Sequence, residues 1–401
     1  MRILHTADWH LGKKLEHFSR LEEQRSVLDE IVAIADEENV DVVLVAGDLF
    51  DNFNPSAEVV ELLYKTLKRL THNGSRAVVA IAGNHDSADR IEAPDPLAKE
   101  CGIFFSGYPN TDIGVFATET GIQISKSEPG FIEIILPNIK EPLRLLLTPY
   151  ANEVRLKSFL GLENKDEQLN EVLKGKWHYL AEKYCDPNGV NVLMAHLYVM
   201  QKDGKMPEES EDERPVMVGN ASAVFTENIP QSIQYTALGH IHQEQCLDEV
   251  KNVFYSGSPL AYSFSEAEQE KFVHIVDAVP GHSPIVKKVL LKDGKLLVRK
   301  SFESMEDALE WLSNNQNVLV ELTIVTKEYI SAKDRRSLLN AHSGIISIIP
   351  QIVDSDKIVQ TKNNIDLSQN IDTLFRQYFY YRKGQEISDE LMDLFKELQT
   401  K

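Results

Sequence analysis

Five short polar segments, each placed directly after a run that predicts a buried strand, constrain this chain more than any other feature. The runs before them, such as Val42–Ala46 and residues 78–82, are continuous and apolar, which is typical of strands covered on both faces. In open α/β sheets, ligand sites lie at the carboxyl ends of the strands. We therefore expect the polar segments to meet in one crevice. They are Asp8-Trp9-His10, Gly47-Asp48-Leu49-Phe50-Asp51, Gly83-Asn84-His85-Asp86, His196 and Gly239-His240-Ile241-His242.

The residue types in these segments are those that a pair of divalent metal ions needs. Carboxylate and imidazole groups suit Mn²⁺, Fe²⁺ or Zn²⁺. Alternate residues of an extended segment point the same way, so Asp8 and His10 can bind one ion together. By the same argument, His240 and His242 can face one cleft. Asp48 carries two carboxylate oxygens and can bridge two ions. Glycines that we expect to let the backbone turn sharply beside the site are Gly47, Gly83 and Gly239.

The charge balance indicates an anionic substrate. Two divalent ions would bring four positive charges, against two negative charges from Asp8 and Asp48, so the immediate site would be positive. A pair of ions ~3.5–4 Å apart can activate water and stabilise phosphoryl transfer. The whole chain, by contrast, has 42 basic and 62 acidic residues and a net charge of −20. That balance disfavours a free-standing basic nucleic-acid binder, but a nuclease can draw positive charge from metals or from a partner.

The order of apolar runs predicts three regions in the 401 residues. Strands that alternate with helices, for example over residues 21–38 and 57–70, predict a layered α/β domain with parallel strands over residues 1–280. Residues 281–354 predict a small α+β domain, which opens with a hairpin of residues 285–291 and 295–302. Residues 355–401 predict a polar linker followed by two amphipathic helices.

Compartment and membrane signals point to the cytoplasm. The three cysteines, Cys101, Cys185 and Cys246, are odd in number and far apart, so neither a disulfide framework nor a zinc knuckle is expected. A reducing compartment fits this pattern. The N-terminus lacks the apolar core of a signal peptide, and no apolar run is long enough to span a bilayer. We expect a soluble cytoplasmic protein without a membrane partner.

Two of the polar segments, together with their flanking residues, resemble those of a known family. They are His5-Thr6-Ala7-Asp8-Trp9-His10-Leu11-Gly12 and Gly83-Asn84-His85-Asp86-Ser87. The family is the calcineurin-like metallophosphoesterase superfamily, in its branch of DNA double-strand-break repair nucleases. The resemblance covers essentially the whole chain. It implies an α/β fold, a metallophosphoesterase β-sandwich flanked by helices, followed by a small α+β capping domain and C-terminal amphipathic helices.

The resemblance also implies a ligand set for two divalent metal ions. Mn²⁺ is favoured, with Mg²⁺, Fe²⁺ and Zn²⁺ as alternatives. One ion would be held by Asp8, His10, Asp48 and His242. The second ion would be held by Asp48, Asn84, His196 and His240.

The same resemblance implies that His85 is not a metal ligand. His85 would contact the scissile phosphate or protonate the leaving oxygen. Asp86 is interpreted as the residue that orients His85, by analogy with other pairs of a base and its orienting group. Asp51 stands where some relatives carry a histidine, and we interpret it as lying behind the ligands. The segment Tyr255-Ser256-Gly257-Ser258-Pro259 is interpreted first as a turn, with a supporting role at the site as the alternative.

The partners that the resemblance implies are DNA and an SMC-like coiled-coil ATPase. The activities would be 3′-to-5′ exonuclease on duplex ends and endonuclease on single strands and hairpins, in DNA recombination, replication and repair. A homodimer of this chain would form part of a heterotetramer. The chain contains no G-x-x-x-x-G-K-[ST] phosphate loop, so the partner would bind the ATP. The tail helices are predicted to dock on that ATPase, and packing on the chain's own domain is the alternative.

Two other functions share these motifs. The first is a phosphatase or a small-molecule phosphodiesterase on the same scaffold, which the metal motifs alone do not exclude. The tail helices, the small α+β domain and the opening segment argue against it. The second is a non-catalytic scaffold that organises the ATPase. A scaffold predicts degraded ligands, whereas every expected ligand is present.

Overall fold

The computed structural model describes residues 1–156, 165–202, 204, 206–208, 223–326, 330–352, 371–383, 387, 391–392 and 395. The chain divides into two compact units, residues 1–297 and 298–401. No helix among the described residues is long and apolar enough to cross a membrane.

The first sheet of the larger unit has six strands, and its central strands are fully buried. Within Val42–Ala46, alternate side chains enter two different cores, because successive residues of a strand point to opposite faces. The four strands from Arg2–Thr6 to the far edge run parallel, and the other two pair antiparallel. The strand order is Ile285–Leu290, Phe272–Asp277, Arg2–Thr6, Val42–Ala46, Ala77–Ile81 and Ile103–Ser106.

The second sheet has eight strands and packs face to face on the first. Leu44 and Val79 of the first sheet share one core with Leu145, Val192 and Tyr235 of the second. This sandwich confirms the predicted fold class. The strand order is Gln245–Asp248, Val253–Tyr255, Tyr235–Gly239, Val190–His196, Leu143–Thr148, Phe131–Ile135, Gln123–Glu128 and Phe116–Ala117.

Helices cover the outer faces of the sandwich. Leu21–Glu37 and Ala57–Leu70 bury apolar faces against the first sheet, and Lys165–Tyr184 does so against the second. The remaining helices and 3₁₀ turns are Ala88–Glu92, Asp95–Glu100, Glu153–Leu156, His72–Gly74, Thr226–Asn228 and Phe264–Glu266. Two short strand pairs are Lys14–Leu15 with Phe18–Ser19, and Val199–Met200 with Val224–Phe225.

The smaller unit is an α+β fold around a three-stranded sheet. Its core contains Leu312, Leu322 and Leu338. Ser304 and Ser331 cap the first two helices by accepting hydrogen bonds from the backbone N–H three residues on. The strands are Leu296–Phe302, Val318–Thr326 and Ile345–Ile352, in that order. The helices are Met305–Asn314, Ala332–Ala341 and Ile371–Lys383.

The hairpin predicted from residues 285–291 and 295–302 is wrong. Ile285–Leu290 instead pairs antiparallel with Phe272–Asp277 in the first sheet, and Leu296–Phe302 belongs to the three-stranded sheet. The backbone N–H groups of Lys292 and Asp293 donate to the Glu30 carboxylate, which ties the intervening segment to a helix. The larger unit therefore extends past residue 280 to residue 297.

The tail is described only in part. Helix Ile371–Lys383 matches the first predicted amphipathic helix. The Phe375 and Phe395 rings stack with their centroids 3.7 Å apart. The predicted linker and most of the second predicted helix lie outside the described residues.

Candidate metal centre

The predicted metal ligands meet at the carboxyl ends of strands from both sheets. Asp8 and His10 follow Arg2–Thr6, Asp48 follows Val42–Ala46, and Asn84 follows Ala77–Ile81. These four belong to the first sheet. The second sheet contributes three histidines. His196 is the last residue of Val190–His196, and His240 and His242 follow Tyr235–Gly239.

One side of the crevice, here called the Asp8 half, consists of Asp8, His10 and His242. The Nε2 atoms of His10 and His242 face each other at 3.0 Å. His10 Nε2 also lies 3.4 Å from Asp48 Oδ2. Ligand atoms of Asp8, His10 and Asp48 all lie within 4.8 Å of one another, so one cation could reach all three.

The other side, here called the Asn84 half, consists of Asn84, His196 and His240. Asn84 Oδ1 lies 3.0 Å from His196 Nε2 and 2.9 Å from His240 Nδ1. His196 Nε2 lies 3.4 Å from Asp48 Oδ2. The same Asp48 oxygen is thus equally distant from a histidine nitrogen of each half, which is the position of a bridging carboxylate.

Four of the predicted ligands adopt a backbone conformation that is uncommon outside glycine. Their φ angles are positive: 54° at Asp8, 42° at His10, 47° at Asp48 and 110° at His240. Such residues persist only where the surroundings hold them. Asp8 N–H donates to the Gly47 carbonyl at 3.0 Å, and His240 N–H donates to Asp8 Oδ1 at 2.9 Å. These two ligands are therefore held in their strained conformations by hydrogen bonds to neighbouring segments.

The three glycines beside the site act in two different ways. Gly47 has a φ of 93°, as the predicted sharp turn requires. Gly83 and Gly239 do not have a positive φ, so the predicted role as turn residues is wrong for them. They allow close approach instead, because a Cβ on Gly83 would lie 2.0 Å from Asp48 Oδ1 and one on Gly239 would lie 1.9 Å from the Ala46 carbonyl oxygen.

The buried polar atoms of the crevice fit a cation. The buried Nε2 atoms of His10 and His242 face each other at 3.0 Å, and a cation between them would be bound by both lone pairs. Burial raises the pKa of Asp8 to about 7 and lowers the pKa of His240 to about 3. Although burial opposes it, the neighbouring His196 and His10 imidazoles hold the pKa of Asp48 well below its usual range. Crowded oxygen and imidazole donors of this kind suit divalent metal ions.

His85 lies at the edge of the crevice, where one of its ring nitrogens, a His10 nitrogen and an Asp51 carboxylate oxygen lie within 4.8 Å of one another. Its ring is 4.8 Å from the His10 ring, centroid to centroid. Its Nδ1–H donates to the Asp51 carbonyl oxygen at 2.9 Å, which leaves Nε2 to face a substrate. The Asp51 carboxylate lies 3.8 Å from His10 Nδ1, and its interpretation as a residue behind the ligands stays a prediction.

The interpretation of Asp86 as the residue that orients His85 is wrong. The buried Asp86 carboxylate accepts three backbone hydrogen bonds, from Leu49 at 3.0 Å, Phe50 at 2.9 Å and Gly83 at 2.8 Å. It therefore joins the two loops that carry Asp48 and His85. The carbonyl of Asp51 takes the orienting position because the turn directs the Asp86 side chain away from the neighbouring ring.

Sequence reasoning missed three supporting residues. Arg155 donates to the carbonyls of Gly83 at 2.8 Å and Asp86 at 2.6 Å, and so braces the His85 loop. Glu266 and Lys271 lie behind His242. None of the three belongs to a motif, and charged residues are usually exposed, so no local pattern could have identified them.

Comparison with known proteins places the chain in a family. Residues 1–244 match the model for the calcineurin-like phosphoesterases. The D subunit of the nuclease SbcCD from Bacillus subtilis (strain 168) is 36% identical over 409 residues, covering 99% of this chain and 97% of that protein. The D subunit of the nuclease SbcCD from Rhodobacter capsulatus is 32% identical over 296 residues, covering 72% of this chain and 70% of that protein.

A solved dimetal phosphatase from Danio rerio covers 73% of this chain and 99% of its own, with a TM-score of 0.36 and 11% identity. The family assignment of this chain rests on the sequence matches. The chain belongs to the calcineurin-like phosphoesterase family, in the branch that contains the D subunits of SbcCD nucleases.

Proposed function

We propose that this chain is a metal-dependent DNA nuclease and the hydrolytic subunit of a complex with SbcC, an SMC-like coiled-coil ATPase. The observation that carries the proposal is the position of Asp48, whose Oδ2 lies 3.4 Å from a histidine nitrogen of each half. The similarity to SbcCD D subunits over 99% of the chain supports DNA as the substrate and SbcC as the partner.

The seven ligands named from the sequence would hold two divalent ions, with Asp48 between them. Mn²⁺ is the proposed ion, and Mg²⁺, Fe²⁺ and Zn²⁺ have compatible ligand chemistry. Two bound ions would lower the pKa of a water molecule and neutralise charge on the phosphodiester. The proposed ligands are Asp8, His10, Asp48, Asn84, His196, His240 and His242.

His85 is the proposed general acid or phosphate contact. Its Nδ1–H is committed to the Asp51 carbonyl, so Nε2 is the atom that can present a proton to the leaving oxygen. The His85 backbone N–H also donates to Asp48 Oδ1 at 2.9 Å. The backbone of His85 is thereby held against the proposed bridging carboxylate.

The proposed activities are 3′-to-5′ exonuclease on duplex ends and endonuclease on single strands and hairpins. The proposed location is the cytoplasm, at the nucleoid. Two copies of this chain would join SbcC in a heterotetramer. The α+β region would cap the nuclease domain, and the tail helices would dock on SbcC, which would bind the ATP.

The test uses the purified chain with Mn²⁺ on linear duplex DNA, hairpin DNA and p-nitrophenyl phosphate esters. Each substrate is assayed alone, with SbcC, and with SbcC and ATP. We expect cleavage of DNA that requires Mn²⁺ and responds to SbcC and ATP. Hydrolysis of the small esters with DNA intact under every condition would instead indicate a phosphatase or a small-molecule phosphodiesterase.

A further inference from the structure

A buried ion pair lies directly behind one proposed metal ligand. Glu266, in the 3₁₀ turn Phe264–Glu266, is 1% exposed, and Lys271 is 8% exposed. Lys271 Nζ lies 2.6 Å from Glu266 Oε2. Burying two charges carries a desolvation cost that their attraction does not reliably repay, so a buried pair is weak evidence for a role in stability. Its location suggests another role.

Both members of the pair contact His242. Glu266 Oε1 lies 3.5 Å from His242 Nδ1, on the side of the ring opposite the Nε2 that faces His10. Lys271 Nζ donates to the His242 carbonyl at 3.1 Å and to Ser258 Oγ at 3.1 Å. Ser258 N–H donates to the same His242 carbonyl at 3.0 Å. The ring and the backbone of His242 are thus held by one buried cluster.

We propose that Glu266 and Lys271 are positioning residues for His242. The Glu266 carboxylate, 3.5 Å from Nδ1, favours the tautomer with its proton on Nδ1, whose Nε2 lone pair faces His10 Nε2. Lys271 Nζ holds the Glu266 carboxylate at 2.6 Å and the His242 carbonyl at 3.1 Å, so it fixes both groups in place. A carboxylate behind a ligating imidazole also raises its basicity and hence its affinity for a metal ion. This inference rests on the proposed metal centre.

The same fold contains a matched arrangement that does not face the crevice. Glu244 Oε1 lies 3.1 Å from His274 Nε2, and Lys288 Nζ lies 2.6 Å from Glu244 Oε2. The other His274 nitrogen, Nδ1, faces the Tyr235 hydroxyl at 3.3 Å. Glu244→Gln therefore removes the same charge from the same kind of Lys–Glu–His group without touching a proposed ligand, and it serves as the control.

The experiment measures Mn²⁺ binding to the full-length chain without DNA, by calorimetric titration and by electron paramagnetic resonance. In Glu266→Gln, we expect the affinity for one of two Mn²⁺ ions to fall about 10–100-fold, the usual effect of losing such an outer partner. The affinity for the other ion should stay close to that of the wild type. Glu244→Gln should leave both affinities unchanged. A general weakening of the fold would lower both, so a one-ion effect identifies positioning.

Lys271→Met is the second variant, and it should weaken the same ion as Glu266→Gln by a smaller factor. If Glu266→Gln binds both ions as the wild type does, the inference is overturned, whereas the proposed nuclease stands as long as Asp48→Ala loses metal. Equal losses for both ions would also overturn it. If the wild type binds no Mn²⁺, the metal centre itself fails, and this inference fails with it.

Discussion

The two halves of the candidate metal centre differ in what lies behind their histidines. In the Asp8 half, each histidine has a carboxylate on its far side, with Asp51 Oδ1 3.8 Å from His10 Nδ1 and Glu266 Oε1 3.5 Å from His242 Nδ1. Each of those carboxylates is paired with a lysine. Lys13 Nζ lies 3.3 Å from Asp51, and Lys271 Nζ lies 2.6 Å from Glu266.

Among the described residues, no carboxylate paired with a lysine lies behind the histidines of the Asn84 half. Asp8 Oδ1, which lies 3.8 Å from His196 Nδ1, belongs to a proposed ligand. His196 Nδ1 donates to the Ala46 carbonyl at 2.8 Å, and His240 Nε2, like His10 Nδ1 in the other half, has no hydrogen-bond partner in the described part of the chain. Asn84 itself carries no charge, so the shared Asp48 is the only carboxylate among the four proposed ligands of that ion. A histidine backed by a carboxylate is the more basic ligand. The comparison therefore predicts that the Asp8 half binds its ion more tightly and the Asn84 half exchanges its ion more readily.

The largest expected effect comes from Asp48→Ala, which removes the carboxylate that both halves share. Both ions should be lost, with a drop in Mn²⁺ affinity greater than the ~10–100-fold that losing an outer partner causes. Metal analysis after gel filtration measures this, and circular dichroism checks the fold. Retention of one ion at wild-type affinity would contradict the bridging position of Asp48.

The next largest effect is expected on the rate of DNA cleavage, with metal binding unchanged. His85→Ala should keep both ions and reduce the rate of DNA cleavage about 10²–10⁴-fold, the usual contribution of a general acid. Metal content and cleavage are measured on the same preparation. Metal loss equal to that of Asp48→Ala would place His85 among the ligands and remove its proposed role.

Asn84→Ala tests the difference between the halves directly. The wild type should release its two Mn²⁺ ions in separate steps during dialysis against a chelator. Asn84→Ala should weaken only the more easily released ion, by at least about tenfold, because it removes a ligand rather than an outer partner. Asp8→Ala is the matched change in the other half and should weaken the tighter ion. Two ions bound with equal affinity by the wild type would contradict the predicted difference between the two halves.

The smallest effect is expected from Lys13→Met. Lys13 and Asp51 are each about a quarter exposed, at 27% and 26% of the side chain, so solvent screens their attraction. An exposed ion pair contributes ~0.2–1 kcal/mol. The Mn²⁺ affinity of the Asp8 half should therefore change by no more than about fivefold, less than in Lys271→Met. Isothermal titration of both variants side by side ranks the two lysines.

The residues that face the crevice could be predicted from the sequence because their signal is local. A polar group such as Asp48 or His196 lies at the carboxyl end of a buried strand, and its carboxylate or imidazole is a typical metal-binding group. The residues behind the ligands could not be predicted. Glu266 lies 24 positions from His242, and nothing near it in the chain distinguishes a buried carboxylate from an exposed one.

Two errors have the same physical origin. Asp86 adjoins His85 in the chain, but the turn sends its carboxylate to backbone amides of another loop. Residues 285–291 and 295–302 flank a good turn sequence, but Phe272–Asp277 offers the first of these strands an open edge in a large sheet. In both cases a long-range partner prevailed over a neighbour in the chain, which local patterns do not reveal.

The division of ligands between two sheets has a consequence for biogenesis. On the proposed ligand set, each ion needs donors from both sheets, and the last donor in the chain is His242. A nascent chain on the ribosome cannot assemble the first ion position until His242 has emerged, or the second until His240 has emerged, and both require the two layers to have closed. Binding of both metal ions would then indicate that the two sheets have packed together. Truncated translation products that end before His242 would lack nuclease activity.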